Sequence, residues 1–200
     1  MSRVMVSVPS GEGRIKSLAA ESLCNMEWGD DDVDFKFVNG YGIELARNKI
    51  AELSIKEGYD YVLMVDSDVI VPYNALVNLR SDDVNVAFGW AVRGESNEKL
   101  TSAVKLGTQG YKKSYYANEI AKCENTLLEV KGCGFYCTLI RTDVFNRITK
   151  PWFKYHRNPD GSYLSEDYWF CQKCSEQKIK LYVDTRVGCG HIHERILEAT

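Results

Sequence analysis

Apolar and polar positions along this chain follow two periods, and the switches between them mark out units. Residues 3–8 are a β-branched apolar run that suits a buried strand. Pro9-Ser10-Gly11-Glu12-Gly13 breaks it, and 15–26 predicts a helix. Residues 33–38 alternate with period two, as a half-buried strand does. After the turn Asn39-Gly40-Tyr41-Gly42, 43–56 predicts a helix with apolar positions at Leu45, Ala46, Ile50, Leu53 and Ile55, ended by Gly58. Val62-Leu63-Met64-Val65 has no polar break, as expected of a strand buried on both faces. Strand, helix, strand, helix, strand argues for an α/β fold with a parallel, doubly wound sheet.

The second half is less regular. Residues 73–79 predict a short helix and 84–92 a strand. The polar segment 93–126, rich in Gly, Lys and Tyr, is too long for a simple connection and predicts a hairpin or a mobile loop beside a binding site. A strand at 127–130 leads to Lys131-Gly132-Cys133-Gly134-Phe135 and an extended stretch at 136–140. Thr142 is the expected cap of a helical turn over 142–148. An aromatic and basic loop over 151–162 precedes a helix that Ser165 would cap, and 180–184 is the last predicted strand.

Length and charge narrow the class. Two hundred residues suggest one domain spanning 1–200. A net charge of -3 provides no global basic field for nucleic acid or anionic membrane. No apolar run is long enough for a transmembrane segment, and the start is too polar for a signal peptide. Seven cysteines without a paired framework then suggest a reduced, cytoplasmic setting. Gly11-x-Gly13 follows a strand, but Lys16 stands where a dinucleotide loop needs its third glycine.

The candidate chemistry starts where the buried apolar run ends, at Asp66-Ser67-Asp68. Carboxylates at i, i+2 on an extended strand point the same way, within reach of one ion. The plain alternative is an acidic turn. Glu166 and Asp167 open a helix, where acids also stabilise the first turn without any further role. Cys171-x-x-Cys174 followed by Cys189, His191 and His193 could hold a structural zinc, although Cys171 and Cys174 also suit the buried face of a helix. Arg141, Arg147, Lys150, Lys154 and Arg157 interleave with Trp152, Phe153, Tyr155 and His156, a mixture that can hold sugars or a nucleic-acid strand.

Taken in order, these motifs resemble the GT-A glycosyltransferases, particularly small family-2-like members. The resemblance runs from Val4 to about His193 through Ser7-Val8-Pro9-Ser10, Ala46-Arg47-Asn48, Val65-Asp66-Ser67-Asp68, Lys131-Gly132-Cys133-Gly134-Phe135, Arg141-Thr142-Asp143-Val144-Phe145, Ser165-Glu166-Asp167 and Gly190-His191-Ile192. It implies a single-domain GT-A (Rossmann-like) fold with a mostly parallel central sheet flanked by helices. About 1–92 would be the nucleotide-sugar-binding half and about 93–193 the acceptor and catalytic half. It implies a metal-dependent transferase that moves a sugar from a nucleoside-diphosphate donor, preferably a UDP-sugar, to a hydroxyl. The acceptor would be a glycan, a small molecule or a modified DNA base. A non-catalytic nucleotide-sugar or glycan-binding protein of the same fold is the alternative.

The resemblance also assigns residues. Mn2+ (or Mg2+) would be held by Asp66, Asp68 and His191, with Asp68 the most direct ligand and His193 a competitor for the imidazole position. Pro9 and Ser10 would flank the nucleobase. Arg47 would contact the nucleotide or diphosphate, with Asn48 and Ser67 also on the sugar-donor side. Gly132 and Gly134 would allow close backbone approach to the sugar, unless they simply serve a turn with positive φ. Asp167 would be the base of an inverting reaction, supported by Glu166. Apart from the resemblance, the glycines within 99–116, which include Gln109-Gly110-Tyr111-Lys112-Lys113, would allow hinge motion, so this segment is expected to form a flap that closes over the sugar donor and excludes water.

Overall fold

The structure, a computed structural model, describes residues 1–93, 99–108, 110–111, 113–123 and 127–193. Gln109 and Lys112 of the expected flap lie outside the described residues. The first five elements are β1 (Arg3–Ser10), α1 (Ser17–Cys24), β2 (Asp32–Asn39), α2 (Ile43–Lys56) and β3 (Tyr61–Val65). β1 pairs in parallel with β2 on one side and β3 on the other, as the strand–helix alternation requires. β4 (Val69–Ile70), α3 (Ala75–Ser81) and β5 (Val86–Trp90) follow.

The chain then makes an excursion. β6 (Leu100–Val104) and β7 (Ser114–Tyr116) form the expected hairpin, and α4 (Ala117–Ala121) and β8 (Leu127–Val130) complete it. β9 (Cys137–Arg141), α5 (Val144–Arg147), the hairpin β10 (His156–Arg157) and β11 (Tyr163–Leu164), α6 (Glu166–Glu176), β12 (Leu181–Gly188) and β13 (Gly190–His191) end the series.

Seven strands make the central sheet in the order β2-β1-β3-β9-β5-β12-β8. β2, β1, β3, β5 and β12 run one way, while β9 and β8 run the other. The sheet is thus mostly parallel, but the doubly wound pattern of the first half does not continue through the second. The crossover from β3 to β5 skips one position, and β9 returns from the excursion to fill it, antiparallel to both neighbours. No helix among the described residues is long and apolar enough to cross a membrane.

Alternation along β3 explains the two cores. Val62 and Met64 face a layer with Ile50 and Ala51 of α2 and Phe170, Cys171 and Cys174 of α6. Leu63 and Val65 face the opposite layer, with Leu23 of α1 and Leu76 and Leu79 of α3. Cys171 and Cys174 therefore lie on the buried face of their helix as small hydrophobes.

Three local expectations change. The buried stripe of α2 is Ala46, Arg47, Ile50, Ala51 and Ser54, so the helix is rotated and Leu45 is exposed. That stripe contains a charge, which only a built ion pair can tolerate. Thr142 does not cap α5 with its side chain, since among the described residues its buried hydroxyl has no partner and it is its carbonyl that accepts the Phe145 N–H. Ser165 precedes α6 but directs its hydroxyl to the Asp167 carboxylate rather than to backbone.

Candidate active site

The site forms at the C-terminal end of β3, where open α/β sheets receive ligands. Asp66 leaves the strand in a turn: its N–H donates to the Tyr136 carbonyl at 3.1 Å and its carbonyl accepts the Val69 N–H at 3.1 Å. One turn into α2, Arg47 is 2% exposed. Its guanidinium donates to Asp66 Oδ1 at 2.8 Å and, through the other terminal nitrogen, to Glu166 Oε1. It also lies over the Phe135 ring, 4.9 Å from the centroid. A forked, planar cation suits this double engagement, which a lysine could not reproduce.

The bridge joins segments far apart in the chain, because Glu166 opens α6. Burial drives the Asp66 carboxyl up to about 6, with Asp68 and Glu166 adding repulsion against the opposing pull of Arg47. Tyr155 faces Glu166 from the loop before β10. Burial and that carboxylate push its phenol up to about 12.

Among the described residues, hydrogen bonds hold Asp167 on one side only. Its Oδ1 accepts the Ser165 hydroxyl and the Tyr168 N–H, the latter at 2.7 Å. Its Oδ2 is directed past Gly134, where an added Cβ would lie 3.4 Å from it and 3.0 Å from Ser102 Oγ. Tyr168 in turn donates its hydroxyl to the Ser102 carbonyl at 2.7 Å and stacks on Tyr111 at 4.7 Å. Neither Gly132 nor Gly134 has positive φ, so the turn explanation fails for both. Protein atoms make the close approach: a Cβ on Gly132 would meet Tyr111 Cε1 at 2.9 Å and Cys171 Cβ at 3.1 Å.

Asp68 and His191 meet across a small ribbon. β13 pairs with β4 so that His191 stands opposite Val69, and the Ile192 N–H donates to the Asp68 carbonyl at 2.9 Å. His191 Nε2 lies 3.5 Å from Asp68 Oδ2. The hydrogen bond to His191 lowers the Asp68 pKa, and the same contact raises that of His191. The His193 ring lies 4.2 Å from that of His191. A carboxylate and an imidazole brought together this way fit Mn2+ or Mg2+ as a donor set. Among the described residues, no three or more such side chains form a ready metal-binding group.

The loop after β1 docks on the same turn. Lys16 N–H donates to the Ser67 carbonyl at 2.9 Å, and Ser10 Oγ both donates to the Arg14 carbonyl and accepts the Arg14 N–H. A cavity of about 440 Å3 lies there, lined by Ser10, Arg14, Ile15, Lys16 and Ser67 among others. Pro9 is buried within β1, opposite Val38.

The structure therefore brings Arg47, Asp66, Glu166 and Asp167 together, with Asp68 and His191 alongside. Asn48 is engaged elsewhere. Its amide donates to the Glu44 and Phe153 carbonyls at 2.7 Å each and accepts the Trp152 and Phe153 N–H groups. That saturates it, so its work is to hold the aromatic loop against α2. The sequence offers Tyr155 only as one of several aromatics that can hold a sugar and Ser165 only as a helix cap, and neither reading anticipates its contact with Glu166 or Asp167. The only signal for either was its place beside Glu166-Asp167 or in the aromatic loop.

Comparison with known proteins gives a likeness of fold. No protein-family model matches the chain, and no curated protein matches it. Among solved structures, A197 from STIV is similar with a TM-score of 0.65 and 18% identity, covering 96% of this chain and 86% of that one. S. aureus TarS 1-349, solved in complex with UDP-GlcNAc, is similar with a TM-score of 0.54 and 15% identity. That match covers 99% of this chain and 60% of the TarS chain. The chain has a single-domain, Rossmann-like α/β fold of the GT-A kind.

Proposed function

We propose that this protein is a glycosyltransferase that moves a sugar from a nucleoside-diphosphate donor, a UDP-sugar first, to an acceptor hydroxyl with inversion. The observation that carries the reading is the Arg47 bridge, which sets the acids after β3 beside the acids that open α6. A turn of two carboxylates is common, but a buried arginine that couples it to a second carboxylate pair is a built arrangement. The fold shared with TarS, itself solved with UDP-GlcNAc, supports the same reading.

The sugar donor's nucleotide occupies the groove of Ser10 and Ser67 beside the end of β1. Asp66, Asp68 and His191 would hold a divalent cation, Mn2+ or Mg2+, which supplies charge neutralisation for the departing diphosphate. Arg47 keeps both Asp66 and Glu166 oriented. Asp167 acts as base: Oδ1 is fixed by Ser165, and Oδ2 takes the proton from the acceptor hydroxyl. As that oxygen bonds to the anomeric carbon, the bond from that carbon to the diphosphate oxygen breaks, and its electron pair leaves with the diphosphate. Ser102 and Gly134 keep the space beside Oδ2 free of bulk.

The test is release of nucleoside diphosphate from UDP-, GDP- and dTDP-sugars with Mn2+. UDP-sugar turnover is expected, with Asp68→Asn and Asp167→Asn each losing about a hundredfold or more. Unchanged rates in either variant remove that residue's role. Tight UDP-sugar binding with no release would make the chain a binding protein.

A further inference from the structure

We infer that the outward face of the β10–β11 hairpin is the acceptor platform, and that it takes a saccharide carrying an anionic group, a carboxylate or a phosphate. The inference rests on the transferase reading above and names the substrate class of its second site. The hairpin register pairs His156 with Leu164 and Arg157 with Tyr163. Leu164 is buried and His156 packs on Trp169 with ring centroids 5.0 Å apart, so that pair faces the body of the protein. The Arg157–Tyr163 pair faces outward by strand alternation.

Tyr163 and the Arg157 guanidinium make this face, and Tyr155 stands just ahead of the hairpin. Tyr163 is 72% exposed and Tyr155 is 52% exposed. The Arg157 guanidinium lies 5.7 Å from the Tyr163 ring centroid. Lys154 adds a second cation, its ammonium 5.7 Å from the Trp169 ring. Other cations nearby already have carboxylates: Lys150 pairs with Glu52 at 3.0 Å and Lys173 with Glu176 at 3.4 Å. Lys154 and Arg157 form no ion pair among the described residues. Exposed tyrosines offer flat apolar faces for the C–H side of a sugar ring, and the arginine beside Tyr163 offers a fork for an oxyanion.

The platform's position is set by chemistry already described. Tyr155 faces Glu166, and β11 runs straight into Ser165 and Asp167. A saccharide held on the hairpin is thus held by the segment that leads into the proposed base. Magnitude decides against a nucleic-acid strand: such binding draws on about 6–10 phosphate contacts, whereas the hairpin region offers Arg157 and Lys154 as its two cations without an ion pair among the described residues, on a chain of net charge -3.

Isothermal titration with oligogalacturonate, mannose 6-phosphate, their uncharged counterparts and a short single-stranded oligonucleotide tests the inference, and the two charged arms separate carboxylate from phosphate. At least one charged saccharide should bind about tenfold more tightly than its neutral form, and Arg157→Ala and Tyr163→Ala should each lose about tenfold. Arg157→Lys should recover part of that loss, and UDP affinity should be unchanged in all three variants. Equal affinity for charged and neutral saccharides, no effect of the variants, or tighter binding of the oligonucleotide overturns it. Failure of the wild-type protein to bind UDP would instead sink the sugar-donor reading, which the saccharide titration does not depend on.

Discussion

Arg47 is the residue on which the site turns, and its cost is legible in its surroundings. Its charge is removed from water, and so is that of Glu166, which is 5% exposed. Truncating one member of such a cluster leaves uncompensated buried charge, so Arg47→Ala should lower unfolding stability by about 3–5 kcal/mol in urea denaturation. Glu166→Gln in the same chain should return part of it. If Arg47→Ala unfolds at the wild-type midpoint, the bridge does not exist in solution. From sequence, Ala46-Arg47-Asn48 could be placed on a helix ahead of the acids, but not Arg47's partner. Glu166 lies 119 residues away, beyond any local pattern. Asn48 looked equivalent to Arg47 because adjacent helical positions carry no sign of what each will meet.

Among the elements, α6 is positioned by two glycines that differ in what they protect. An Ala at position 132 collides with Tyr111 and with Cys171 of α6, so Gly132→Ala should cost about 1–3 kcal/mol by overpacking. An Ala at position 134 meets Ser102 and the free oxygen of Asp167, so Gly134→Ala should reduce kcat more than stability. Measuring kcat and the denaturation midpoint on both variants checks the contrast; equal losses in both quantities would erase it. The predicted helix 43–56 matched α2 at both ends, because turn glycines bound it on either side. The face of that helix was misjudged, since hydrophobicity alone cannot anticipate a buried, paired arginine.

Stability of the whole molecule should also depend on pH through a carboxylate pair remote from the site. Asp82 and Asp184, 6% and 1% exposed at the side chain, share Arg186 between α3 and β12. Burial and the Asp184 charge raise Asp82 to about 7. Folded Asp82 thus holds its proton more tightly than the unfolded chain does. Stability should fall as pH rises from the ordinary carboxylate range through about 7, and Asp82→Asn should flatten that slope. Thermal melts of both proteins across that range measure it, and identical slopes would refute it. At this scale the α/β class and the order of the first five elements were readable, because period changes and glycines mark them. The reversal of β9 was not, since an apolar run such as Cys137-Thr138-Leu139-Ile140 reads the same whichever way it enters a sheet. The Arg47 bridge carries a last consequence, for descent. Because one buried cation serves two acids from distant segments, positions 47, 66 and 166 cannot drift singly without a large penalty in folding. A relative that had lost the bridge would have to replace all three together, so the identity of the residue at position 47 alone should report whether the bridge is still intact.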